Sequence, residues 1–318
     1  MRRTHRDRRR KSTKQANIKA SKSSTARNTG RSNKRKPSSK QVSHVKHAAR
    51  KNSKSKLQNK PGSKKLSRLH QFQVKFHPEP VVSVIIPVMN ERETIGNVIQ
   101  EASKAHEAVE IIVVSNGTTD GSDRIAEKMG VKVIRYERPL GHDVGRKEGA
   151  AVAKGKILLF LDGDIVIPAT QLQTFVQAIE GGSDVALNGF SGSTSRPNVH
   201  PVVLAKHAVN AFLSRSDLKG SSMTAIPHAI SRRALEVIGL DALAIPPLAH
   251  TIAIKRGLKV KVAQIVEVGR RNRVRTRQPD PLEKMIVADN LYAMRWLVEQ
   301  AGKRGGFTDL NRRRELVR

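Results

Sequence analysis

The chain has 318 residues and a formal charge of +33, from 60 Lys and Arg against 27 Asp and Glu, and it contains no cysteine. Disulfides and thiolate-bound zinc or iron–sulfur centres are therefore excluded, and no apolar run approaches the roughly 18–20 residues that span a bilayer. The N-terminus is charged but no apolar h-region follows, so it does not read as a secretory signal. The expectation is a cytoplasmic protein, or one peripheral at the inner membrane face.

The charge is concentrated at one end. Residues 1–70 hold 25 Lys and Arg against the single acid Asp7. Large apolar residues are almost absent from this stretch, so burial cannot offset the entropy of ordering it. Residues 1–75 therefore read as a disordered basic tail, 81–300 as one α/β domain, and 301–318 as a basic C-terminal extension. The tail's charge suits an anionic membrane surface or another polyanion. No aromatic residue precedes Phe72, so there is no stacking platform for single strands, and no specific nucleic-acid partner is expected.

From Val81 the pattern changes to short β-branched runs alternating with helical spacing. VVSVIIPV (81–88) is a continuous apolar run, as in a strand buried on both faces. TIGNVIQEASKA (94–105) puts Ile95, Val98, Ile99 and Ala102 on one helix side. EIIVV (110–114) predicts a second strand, GSDRIAEKMG (121–130) a helix, VKVIR (131–135) a third strand, DVGRKEGAAVAKG (143–155) a small-residue helix and KILLFL (156–161) a fourth strand. Strands and helices alternating in this way predict a mostly parallel, Rossmann-like sheet flanked by helices. Beyond it the spacing predicts a strand over 183–190, a helix over 199–214, a Pro-disturbed strand over 223–230, and a helix over 232–238. A helix over 247–257, a strand over 259–268 and a long amphipathic helix over 282–300 complete the reading.

In such a sheet the ligand crevice lies at the carboxyl ends of the strands, where strand order reverses. PVMNE (87–91), SNGTTDGS (115–122) and DGD (162–164) deliver polar residues there. Asp162 and Asp164, with Gly163 between them, suit a hard divalent cation such as Mg²⁺ or Mn²⁺ that keeps positions open for diphosphate oxygens. On a second reading the two acids merely end a strand or cap the next helix.

VSVIIPVMNERETI (83–95), IIVVSNGTTDGS (111–122), GHDVGRKEGAAVAKGKILLFLDGDIVIP (141–168) and AISRRALEVIGL (229–240), in this order, resemble the family 2 glycosyltransferases of GT-A fold. The resemblance implies a nucleotide-sugar-dependent glycosyltransferase of hexosyltransferase type with a divalent metal. In that family the P-x-x-N-E turn, here Pro87, Asn90 and Glu91, and the residues ending the second strand, here Ser115 and Asn116, form the nucleotide pocket. Arg146 stands at the Arg of the family's A-R-N-x-G segment, facing base or diphosphate. Asp162 and Asp164 stand at the D-x-D positions that hold ribose and the metal–diphosphate.

Three departures qualify what the resemblance implies. Ser115-Asn116-Gly117-Thr118 replaces the usual Asp-Asp-Gly-Ser, and a Ser gives up charge-assisted contact with a uracil imide, so the base is left open. Pro246 and Pro247 stand near the place of the usual catalytic carboxylate, where the nearest titratable groups are Asp241 and His250. His250 titrates in the right range for a base; on an apolar helix it also reads as structural, and Asp241 also reads as a turn cap. RRNRVRTR (270–277) carries Arg where many members, and the related glucosyl-3-phosphoglycerate synthases that this segment also resembles, place a metal-binding His. Arg270 or Arg271 either clamps the diphosphate, leaving a substantial metal-free activity, or belongs to a solvated basic loop. Two functions follow from these readings: transfer of a sugar from a nucleotide-diphosphate donor to an unidentified acceptor, or a non-catalytic GT-A domain in a polyanion-binding protein.

Overall fold

A computed structural model describes residues 72–75, 77–195, 197–268, 281–302 and 306. The predicted basic tail over 1–70, Arg270 and Arg271, and nearly all of the C-terminal extension lie outside them.

The elements in chain order are β1 (Val82–Val88), α1 (Ile95–Ala102), β2 (Val109–Asn116), α2 (Ser122–Lys128), β3 (Lys132–Tyr136), α3 (Val144–Val152), β4 (Ile157–Phe160), α4 (Ala169–Glu180) and β5 (Val185–Asn188). Then come α5 (Pro201–Phe212), β6 (His228–Ser231), α6 (Arg232–Ile238), α7 (Pro246–Lys255), β7 (Val260–Gln264) and α8 (Pro281–Ala301), with short 3₁₀ turns at Ser216–Leu218 and Asp241–Ala244. The strands form one seven-stranded sheet in the order β3-β2-β1-β4-β6-β5-β7. All its pairings are parallel except those of β6, which runs antiparallel to β4 and to β5. This is the mostly parallel, helix-flanked sheet of the GT-A fold.

Central strands are buried on both faces and edge strands are not, which explains the continuous apolar runs. Every residue of β2 and β4 is buried, whereas edge strands β3 and β7 keep exposed positions. The two-residue period of a strand sends alternate side chains into two cores. Val84, Ile86 and Leu159 join α1 and α4 on one face; Ile85, Leu158 and Phe160 join α6, α7 and α8 on the other. The small residues of α3 let it lie close on β1. A Cβ at Gly145 would stand 3.0 Å from that of Pro87, and one at Gly149 would overlap the Ile85 side chain.

Differences from the sequence reading have local causes. Residues 169–180, to which that reading assigns no element, form α4, with Leu172, Phe175, Val176 and Ile179 buried at helical spacing. The strand expected over 223–230 is paired only from His228, since Pro227 has no N–H for the ladder. The strand expected over 259–268 pairs over 260–264, as far as its neighbour β5 extends.

Candidate functional site

Strand order reverses between β1 and β4, and a cleft of about 590 Å³ opens at their carboxyl ends. Its walls include Pro87, Val88, Met89 and Glu91 after β1, Asn116 at the end of β2, and Asp162, Gly163 and Asp164 after β4. Pro139, Gly141, His142, Asp143 and Arg146 come from the β3–α3 connection and α3, Thr224 from the segment before β6, and Leu282 and Ile286 from α8. The structure thus brings Pro87, Glu91, Asn116, Arg146, Asp162 and Asp164 together from four separate stretches of sequence.

Arg146 is only 5 % exposed. Its guanidinium lies 3.3 Å from Asp143 Oδ1 and 3.6 Å from Asp162 Oδ1, and it donates to the Met223 carbonyl at 3.3 Å. A buried guanidinium held at three points cannot swing, so it fixes the carboxylate of Asp162 as well as its own charge. Asp162 stays 39 % exposed toward the cleft.

The loops around the carboxylates are tied to one another. Thr94, preceding α1, donates its hydroxyl to the Gly163 carbonyl at 2.7 Å, locking the DGD turn. Asn90, at φ +62°, accepts from the Thr119 amide at 2.8 Å and the Asp120 amide at 3.2 Å. The Glu91 amide donates to Ser122 Oγ at 2.9 Å. Asn116 uses both ends of its amide on the β3–α3 connection, donating to the Gly141 carbonyl at 2.8 Å and accepting from the Leu140 amide at 2.6 Å. Asn90 and Ser115, expected in the nucleotide pocket, do not line this cleft: Asn90 is exposed and braces Thr119 and Asp120, and Ser115 is buried within β2.

Neither sequence-chosen base lies in the cleft. His250 is 0 % exposed, its Nε2 is 2.8 Å from Asn210 Oδ1, and burial, with Arg215 and Lys206 nearby, pushes its protonation down to about 3. The side chain of Asp241 is 93 % exposed and pairs with Lys147 at 2.6 Å, a contact that holds its carboxyl below the usual range. A general base must come within hydrogen-bond reach of the proton it removes, and these placements correct the expectation for both residues. The reading that His250 is structural and that Asp241 belongs to a turn is the one the packing supports.

Sequence reasoning missed Asp143, His142, Thr224, Leu282 and Ile286. Asp143 had a signal: an acid three residues before Arg146, at a helix start, meets it on the same face. Asp289 of α8 also faces this region; burial raises its carboxyl, Asp143 raises it further, and His142 opposes.

Two carboxylates at the cleft, Asp162 and Asp164, are hard oxygen donors. Among the described residues no group of three His, Cys, Asp or Glu side chains could enclose a cation. The donor set fits Mg²⁺ or Mn²⁺ bound through one or two carboxylates, with diphosphate and water supplying the other ligands.

With this geometry in place, comparison with known proteins gives the class. Residues 83–235 match the model of glycosyl transferase family 2. It is 33 % identical over 127 residues to glycosyltransferase AglE of Haloferax volcanii, covering 37 % of this chain and 41 % of that protein. It is 31 % identical to dolichol-phosphate mannosyltransferase of Pyrococcus furiosus and 32 % identical to cholesterol galactosyltransferase of Borreliella burgdorferi, covering 33 % and 34 % of this chain and 32 % of each relative. The chain thus spans about a third to two-fifths of the length of these curated relatives. Among solved structures, glucosyl-3-phosphoglycerate synthase from Mycobacterium tuberculosis with Mn²⁺, UDP-glucose and phosphoglyceric acid superposes with a TM-score of 0.51 at 22 % identity, covering 73 % of this chain and 82 % of that one. The same enzyme with UDP gives 0.50 at 21 % identity over the same shares. At these identities the fold is what is shared.

Proposed function

We propose that the chain is a glycosyltransferase that moves a sugar, a hexose on the family resemblance, from a nucleotide-diphosphate donor to an acceptor. The observation carrying this reading is the convergence of Pro87, Glu91, Asn116, Arg146, Asp162 and Asp164 on one cleft inside the family-matched segment. The curated relatives are named as transferases, and solved neighbours hold UDP-glucose with Mn²⁺ in one case and UDP in another, which supports the same donor class and cofactor here.

Each part of the cleft has a task in this reading. Pro87, Val88 and Pro139 offer apolar walls to the base, in a slot whose far side Asn116 holds in place. Asp162 and Asp164 would hold the divalent cation, which supplies positive charge against the departing diphosphate. Arg146 keeps Asp162 oriented and adds a fixed positive charge at the same end of the cleft. Leu282 and Ile286 of α8 give the cleft an apolar wall that limits water, so that the sugar passes to the acceptor rather than to solvent.

The test is donor hydrolysis by the full chain across uridine, guanosine, adenosine and thymidine diphosphate sugars with Mg²⁺ or Mn²⁺. Turnover of at least one donor is expected, falling about 100-fold or more in Asp164→Ala. No turnover of any donor, combined with nucleotide binding indifferent to Asp164→Ala, would overturn the reading.

A further inference from the structure

Helix α5 buries a lysine together with Val209 and Asn210. Lys206 is 6 % exposed, its ammonium donates to the Phe190 carbonyl at 3.3 Å, and it sits 5.9 Å from the centroid of the Phe190 ring. Among the described residues no carboxylate pairs with it, in contrast to the buried Arg146 with Asp143 and the buried Asp184 with Arg233. An ammonium has three donors, and a single carbonyl uses one. Burial lowers its protonation to about 8. The adjacent His207 has a buried Nε2 with no hydrogen-bond partner, and Ser222 Oγ and Thr224 Oγ1 are likewise buried and unpaired in the segment whose Gly220 packs on the His207 ring. His207, close to Lys206 and Lys219, is itself held below the usual imidazole range by burial and by both lysines.

The register of the sheet shows where this group stands. Ala186 of β5 pairs with Ala229, and Ala229 pairs with Leu159 of β4. Both outer strands run antiparallel to β6, so they point the same way. Strands β4 and β5 thus end at the same edge of the sheet, at Phe160 and Asn188. Phe190, two residues past β5 and carrying the ammonium on its carbonyl, is therefore on the same rim as the DGD turn that follows β4, with β6 between the two strands. The 220–224 segment joins the two places, since Gly220 packs on the His207 ring and Thr224 lines the cleft.

We propose that Lys206 recognises an anionic group of the acceptor: the acceptor carries a carboxylate or phosphate near the group that receives the sugar, and that anion pairs with Lys206 beneath the Gly/Ser-rich GFSGSTS loop (189–195). The inference rests on the transferase reading and names the acceptor class of that same cleft. A buried cation without a counter-ion lowers stability, and an anionic acceptor removes that penalty on binding. A neutral acceptor of the same size leaves it in place. Specificity then follows from a polar group left unpaired with the wrong ligand.

The test uses the full chain with nucleoside diphosphate and Mg²⁺ present, at physiological salt so that weak attraction of anions to the basic N-terminal residues is screened. Binding is measured for matched probes, glycerol against D-glycerate and glycerol 3-phosphate, and farnesol against farnesyl phosphate. The expected result is at least tenfold tighter binding of an anionic probe than of its neutral partner, abolished in Lys206→Met. The pair showing the preference tells whether the anion is a small carboxylate, a small phosphate or a lipid-borne phosphate. Lys206→Met without ligand is expected to melt at or above the wild-type temperature. Equal binding of charged and neutral probes, a preference surviving in Lys206→Met, or a lower melting temperature of that variant would each overturn the proposal. Donor hydrolysis without any probe is scored separately: its failure removes the transferase reading, whereas its success with no anion preference removes only the role of Lys206.

Discussion

Arg146 and Asp143 are 5 % and 8 % exposed, so each is the other's counter-charge in a place where water supplies little. Removing one partner of such a pair leaves a buried charge unanswered, at a cost of about 3–5 kcal/mol. Arg146→Ala is therefore expected to lower unfolding stability in denaturant by about that much and to reduce donor turnover as well. Asp143→Asn added to Arg146→Ala should restore part of the stability and none of the turnover, since Asp162 still lacks its guanidinium; a strictly additive double variant would contradict the coupling. The buried histidines give a second prediction. His228 and His250 titrate near 3 in the fold, chiefly through burial, against 6.5 when unfolded. Below pH 6.5 the unfolded chain takes up protons that the folded one refuses, so stability falls as pH drops from about 6.5 toward 3. Each histidine contributes a slope of up to about 1.4 kcal/mol per pH unit in that window. Carboxylates lowered in the fold, such as Asp123, lose stability in the same direction, so the useful measurement is a difference. His228→Phe keeps the stacking on Phe160, whose centroid lies 4.9 Å away, and should show a shallower acid slope than wild type; an unchanged slope would contradict the assignment.

At the scale of elements, the approach of α3 to β1 sets the position of Arg146. Gly149→Ala puts a methyl group into the Ile85 side chain, which is itself 0 % exposed. Overpacking of this kind costs about 1–3 kcal/mol, and the helix that must yield is the one carrying Arg146. Lower stability by unfolding and weaker donor turnover should appear together; loss of stability alone would mean that the shift is absorbed elsewhere. The same scale shows what the sequence makes legible. Buried parallel strands announce themselves as β-branched runs, and the small residues of α3 foretell a close helix–strand contact. Pro87, Glu91, Asn116, Asp162 and Asp164 were readable as cleft residues because they sit at or just beyond strand ends, and Arg146 because it stands in the first turn of the helix packed on β1. Thr224, Leu282 and Ile286 were not, since their place depends on how the segment before β6 and α8 pack after the sheet has formed. His250 misled for a related reason: its titration range was right, but burial against Asn210 is a tertiary fact that local spacing does not carry. Helix α4 carries its signal in the sequence, with Leu172, Phe175, Val176 and Ile179 at helical spacing.

At the scale of the whole molecule, the proposed function allows two sources of positive charge for a donor diphosphate, a cation on Asp162 and Asp164 or the arginines that precede α8 in the sequence. If Arg270 or Arg271 shares the diphosphate charge, donor hydrolysis in excess chelator retains a measurable fraction, which Arg270→Ala with Arg271→Ala removes. Complete loss in the wild type on chelation, with full rescue by Mn²⁺, would assign the charge to the metal alone. The bonds from Thr94 to Gly163, from Asn90 to the 119–120 amides, and from Asn116 to the 140–141 backbone act together at this scale. They are made entirely within the chain, and ordering a loop residue costs about 1–2 kcal/mol. A nucleotide arriving at this rim finds three loops whose freedom was surrendered during folding. In a calorimeter the donor should therefore bind with only a small ordering entropy, and successive donors should differ mainly in enthalpy.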